Sequence, residues 1–142
     1  MKILNLKFLT IWFRYYFSKY SRYRHIYWII INLRPKSILE VGVYKGKRSN
    51  EMINLTKDFT KSLSYYGFDL FEKIQMSKIN LELSKQPLSR TQLQKKLLNK
   101  FKDVKINLIQ GDTKKTLKNF SKKKKKIDFV FIDGGHEYNT VV

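Results

Sequence analysis

Four short apolar runs, "SILEV", "LSYYGF", "VKINLIQ" and "IDFVFI", each give way within a residue or two to a glycine or an acid. Runs this short, rich in β-branched and aromatic residues, read as buried strands. Polar, helix-like stretches separate them. Strands alternating with helices predict an α/β chain with a parallel sheet covered by helices on both faces. In such a sheet the carboxyl ends of the strands line the ligand crevice. The chemistry of this chain is therefore expected where the four runs stop.

The pattern sets the boundaries. Residues 1–35, rich in Tyr, Phe, Trp, Arg and Lys, form an N-terminal extension that ends at Pro35. Its apolar residues Ile3, Leu6, Leu9, Trp12 and Phe13, then Ile26, Ile29 and Ile30, recur at helical spacing. A second unit, residues 36–142, holds the strands. Helices are expected over 47–58, over 113–120 and from Ser89 to about Phe101. Ser89 and Gln92 form a capping-box pattern at the start of the last of these. Residues 71–83 read as a loop or short helix.

Composition narrows the classes. The chain has no cysteine, which excludes disulfides, thiolate metal sites and cysteine nucleophiles. The net charge of +19, from 30 basic and 11 acidic residues, invites a nucleic-acid or anionic-membrane reading. Lysine far outnumbers arginine, however, and Ile, Asn, Phe and Tyr are plentiful. Specific phosphate and base readers favour the planar fork of arginine. The charge is therefore read first as a compositional bias, with nucleic acid the weaker alternative. The extension could lie on a membrane surface as a basic amphipathic helix. The preferred expectation is that it packs on the sheet, because amphipathic faces usually bury against protein. No apolar run reaches the roughly 20 residues of a membrane span, and no secretory signal is evident. A cytoplasmic chain is expected, with peripheral membrane attachment as the alternative.

Each strand end carries distinct groups: Glu40 with Gly42 and Gly46; Asp69; Gly111 with Asp112; Asp133 with Gly134, Gly135 and His136. The G-x-x-x-G spacing differs from the G-x-G-x-x-G of dinucleotide binders, and no Gly-Lys-Ser/Thr follows as in a phosphate loop. A carboxylate at Glu40 repels a pyrophosphate and attracts a cationic group. Asp69 is placed to accept both hydroxyls of a ribose. Together they suggest a nucleoside ligand that bears a positive charge and no phosphate. Any of these acids could instead cap the next helix, Asp112 above all.

The segments "ILEVGVYKGKRSNEMI", "YYGFDLFE", "INLIQGDTKKTL" and "IDFVFIDGGHEYNTV" resemble, in order, the motifs of class I S-adenosylmethionine-dependent methyltransferases. They are most similar to the small-molecule and sugar O-methyltransferase-like groups, over roughly residues 35–142. The resemblance implies a Rossmann-like fold, S-adenosyl-L-methionine as cofactor and O-methylation of a sugar or similar small acceptor. It implies that Glu40, Gly42 and Gly46 hold the methionine part, that Asp69 takes the ribose, and that Gly111 and Asp112 lie beside the adenine. Asp133 then falls near the transferred methyl and, in some members, near a divalent metal such as Mg. His136 either acts as a general base or orients the turn that follows, and Tyr138 packs on the next helix. The family's fold has seven strands and four are read here. The expectation is thus an incomplete domain, inactive alone, with a basic binding module as the alternative function.

Overall fold

The computed structural model describes residues 9, 13, 16, 17, 23–74 and 86–134. Among them the order is α1 (Arg24–Leu33), β1 (Ser37–Val41), α2 (Lys47–Thr56), β2 (Ser64–Asp69) and a single 3-10 turn (Phe71–Lys73). Then follow α3 (Arg90–Lys100), β3 (Lys105–Gln110), α4 (Thr113–Ser121) and β4 (Phe129–Ile132). The four strands form one parallel sheet in the order β3-β2-β1-β4. This is the α/β Rossmann-like arrangement expected. The chain builds outward from β1 through β2 to β3, then returns to add β4 on β1's other side.

Strand parity sorts the core into two halves. On one face Ile38, Tyr65, Ile106, Leu108 and Phe129 meet Ile26 and Ile30 of α1, Met52 and Ile53 of α2, and Leu93 and Leu97 of α3. On the other, Leu39, Val41, Tyr66 and Phe68 meet Leu117 and Phe120 of α4. Each fully buried Leu, Ile or Phe contributes about 1.5–3 kcal/mol relative to exposure. β4 lies at the sheet's edge among the described residues, with Val130 and Ile132 exposed.

Local signals set the element ends. Ser89 accepts from the Gln92 amide and the Gln92 side chain accepts from the Ser89 amide, the complete capping box. Asp112 caps α4 by accepting from the Lys114 amide. Gly46 opens α2 in the left-handed region at φ 70°, where a Cβ would also lie 2.5 Å from Leu93 Cδ1. Asp128 pins the start of β4 to the start of β1: one carboxylate oxygen accepts from the Lys36 and Ser37 amides and the Ser37 hydroxyl. The Lys36 amide is the largest cause that lowers the Asp128 pKa, and the Ser37 bonds add to it against desolvation, which raises it.

α1 packs its Ile26 and Ile30 face against the sheet. Among the described residues no helix is long and apolar enough to cross a membrane. Residues 75–85, read in part as loop or short helix, and Gly135, His136 and Tyr138 lie outside the described residues.

Candidate functional site

The strand order reverses at β1, where open α/β sheets place a ligand crevice, between the turn after β1 and the end of β4. The strand ends there are linked by a continuous series of contacts. Gly111 donates its amide to the Asp69 carbonyl. Asp69 Oδ2 accepts from the amides of Val43 and Tyr44, both at 2.7 Å. Its Oδ1 accepts from the Phe71 amide at 3.2 Å. A carboxylate has about four acceptor positions, so this half-buried group keeps capacity beyond its three backbone donors. Tyr44 and Phe71, flanking Asp69 in space, both sit at positive φ, 53° and 52°. Non-glycine residues rarely hold that conformation, and such strain gathers at binding sites.

Gly42 is required by contact as well as by its φ of 90°. A Cβ there would lie 2.5 Å from both the Asp133 carbonyl oxygen and the Gly134 Cα. The space its missing side chain leaves is filled by the end of β4. The two backbones that border the crevice therefore touch at its floor.

Glu40 lies in the core beneath this turn, with no exposed surface. Ser49 of α2 donates to its Oε2 at 2.6 Å, and the Tyr65 hydroxyl of β2 donates to the same oxygen. Tyr65 also lies 2.8 Å from Ser49 Oγ. Oε1 is buried and has no partner. Burial pushes the Glu40 pKa up to about 8, the Ser49 and Tyr65 hydrogen bonds oppose it, and the charges of Asp69 and Asp133 add to the rise. Near neutrality this group is mostly a neutral acid. The sequence suggests a carboxylate facing a cationic ligand; the structure places it behind the turn, tying β1, β2 and α2 together.

Asp133 is half-buried, and its Oδ2 accepts from the Tyr23 hydroxyl at 2.9 Å. The Arg48 guanidinium covers the Tyr23 ring at 3.6 Å and also pairs with Glu51. The residue just before α1 thus reaches the candidate methyl-transfer end of the crevice. Asp112 is exposed, and the cap it provides to α4 occupies one of its oxygens. Among the described residues no three His, Cys, Asp or Glu side chains group as a metal site. Asp133, the expected metal ligand, is joined by no such group among the described residues.

Three contributors escaped the sequence reading: Ser49, Tyr65 and Tyr23. One signal was present. Gly67 sits inside a strand, opposite Glu40 in the β1–β2 register. A Cβ there would lie 2.9 Å from the Tyr65 hydroxyl. A glycine in a strand interior often marks such a close approach. Tyr23 and Ser49 had no comparable mark.

No curated protein sequence matches the chain. Among solved structures, the apo structure of CmcI-N160 is 22% identical with a TM-score of 0.48, covering 81% of this chain and 41% of that one. The SAH-bound Podospora anserina methyltransferase PaMTH1 is 19% identical with a TM-score of 0.48, covering 93% of this chain and 51% of that one. The chain thus spans about half, or less, of the length of these proteins. A family model described as "Methyltransferase domain" matches residues 39–142, most of the chain, and the chain belongs to that family.

Proposed function

We propose that the chain binds S-adenosyl-L-methionine in the crevice at the strand ends and serves methyl transfer to a hydroxyl of a small acceptor such as a sugar. The observation that carries this reading is Asp69. It closes β2 at the crevice, is held by the backbone of the glycine turn, and retains acceptor capacity for a ribose. When bound, the cofactor's sulfonium supplies the electrophilic methyl group.

The residues present fit such a ligand. Asp69 receives the ribose hydroxyls. Gly111 and Asp112, beside β2 at the end of β3, border the adenine. The turn at 42–46 carries the methionine part, and Gly46 places the first amides of α2 toward its carboxylate. Glu40 serves through the turn it supports. Asp133, fixed by Tyr23, orients the acceptor hydroxyl for in-line attack. With the cofactor bound, its methyl group would pass to the acceptor oxygen with the thioether as leaving group, and the hydroxyl proton would need a base. His136, three residues after Asp133 in sequence, is proposed as the base that takes it.

Titration calorimetry with S-adenosylmethionine and its demethylated product tests the reading. Asp69→Ala removes a charged hydrogen-bond acceptor and weakens binding by about 1–3 kcal/mol, roughly five- to 150-fold. If the chain binds NADH and not S-adenosylmethionine, the reading fails.

A further inference from the structure

Basic residues lie at both ends of the sheet, but at the strand ends Lys45, Lys47, Arg48, Lys73, Lys114 and Lys115 are mixed with acids. Asp69, Asp112 and Asp133 stand at the strand ends, where the crevice opens. The opposite end gathers lysines. Lys57 and Lys61 follow α2, Lys102 follows α3, Lys36 precedes β1, and the five lysines at 122–126 precede β4. All are exposed. A cleft of about 540 Å³ opens among Lys57, Lys61, Lys100 and Lys102, beside Phe59 and Phe101. Asp58 and Asp103 also line it. Asp128, the remaining acid at this end, is committed to the β1 amides.

An exposed apolar stripe joins this basic end. α1 buries Ile26 and Ile30 and turns Trp28, Ile29 and Leu33 outward, with Trp28 58% exposed. His25, Trp28, Ile29, Asn32 and Leu33 recur at the spacing of one helix face. The helix runs down to the start of β1, so Leu33 adjoins Arg34 and Lys36. The Arg34 guanidinium lies over the Phe59 ring at 5.6 Å, which connects the stripe to the lysine cleft. Further toward the N-terminus, Leu9, Phe13, Tyr16 and Phe17 are helical and exposed, again at one-face spacing, Phe17 to 74%. The Phe13 and Phe17 rings stack at 5.0 Å.

Exposed tryptophan, phenylalanine and leucine beside clustered lysine is the composition of an interfacial protein surface. Apolar side chains enter the headgroup region while the cations meet anionic lipid, each basic residue near the surface adding about 1 kcal/mol. We infer that the chain docks on an anionic lipid surface through the outer stripe of α1 and the strand-start end of its sheet. The strand ends then point toward water and stay open to soluble ligands. The charge complementarity selects lipid phosphate. The aromatic and aliphatic stripe selects a bilayer over a free anion, because an anion offers it no apolar volume.

The test is co-sedimentation of the full chain with vesicles. Vesicles about one-third phosphatidylglycerol in phosphatidylcholine, at about 0.15 M salt, should pull the chain down, and pure phosphatidylcholine should not. In a Trp12→Phe background the Trp28 emission should shift to the blue on anionic vesicles. Trp28→Ala with Leu33→Ser should weaken the partition by about tenfold or more. Lys61→Glu with Lys102→Glu should weaken it by about a thousandfold, since each reversal removes one attraction and adds one repulsion. All four residues are exposed, and circular dichroism identifies any variant that does not fold. S-adenosylmethionine affinity should be the same with and without vesicles, so failure here is separable from failure of the proposed function. Equal binding to neutral vesicles, binding that neither variant weakens, or no sedimentation overturns the inference. So does capture of a single-stranded RNA oligomer through Lys61 and Lys102 without vesicle binding, which assigns the patch to nucleic acid.

Discussion

Glu40→Gln isolates the ionisation of one buried acid. In the folded chain its pKa is raised from 4.5 to about 8, burial being the largest cause. The folded state therefore holds a proton that the unfolded state releases between those values. Stability from this group is fully present below 4.5 and is lost as pH rises to about 8. The slope is about 1.4 kcal/mol per pH unit inside the window, on the order of 4–5 kcal/mol across it. Glutamine keeps an acceptor for Ser49 and Tyr65 and cannot ionise. It also places N–H donors where Oε1 has no partner, at a cost of about 1–3 kcal/mol. The variant should thus be the less stable protein at pH 5 and the more stable one at pH 8, the curves crossing at about pH 6. Urea titrations at each pH, read by circular dichroism, measure this, because all other titrating groups cancel in the difference. Parallel stability curves from pH 5 to 9 would falsify the assignment of Glu40 as a buried, proton-bearing acid.

Other expectations follow from the same geometry. Gly42→Ala forces a Cβ to 2.5 Å from the backbone of Asp133 and Gly134 at a φ of 90°; a loss of about 3 kcal/mol or more is expected in thermal unfolding, and a neutral result would mean the floor of the crevice can open. Gly67→Ala crowds the Tyr65 hydroxyl and Leu108, costing about 1–3 kcal/mol; because it also displaces a donor from Glu40, the acid's pKa should rise further, visible in the same pH series. Asp128→Ala should destabilise the chain above about pH 4 and lose its effect as pH falls, since amide donors hold the carboxyl pKa below 3.8; a deficit that persists undiminished in acid would show that the carboxylate's charge is irrelevant to the β1–β4 seam.

The sheet was legible in the sequence because each strand is short, apolar and closed by an acid or glycine. The capping box at Ser89 and Gln92 was legible for a similar reason: its partners are three residues apart. What escaped was long-range. Tyr23 meets Asp133 across 110 positions, and Asp128 meets Ser37 across 91. No local pattern encodes either. Glu40 was visible as an acid at a strand end, but its burial depends on Ser49 and Tyr65 from two other elements. The exposed stripe of α1 was visible only as periodicity. The split between its inner and outer faces depends on where Ile26 and Ile30 dock.

The return of β4 to β1 has a kinetic consequence. β1 pairs with β2 across 27 residues, Ile38 to Tyr65, but with β4 across 91, Ile38 to Phe129. Closing the longer loop costs more chain entropy before any contact repays it. β4 should therefore join late, onto a β3-β2-β1 sheet already assembled. The wall formed by Asp133 and Gly134 cannot exist until that step is complete. A ligand held against both sides of the crevice binds only the finished sheet, and by mass action it draws the last strand into place.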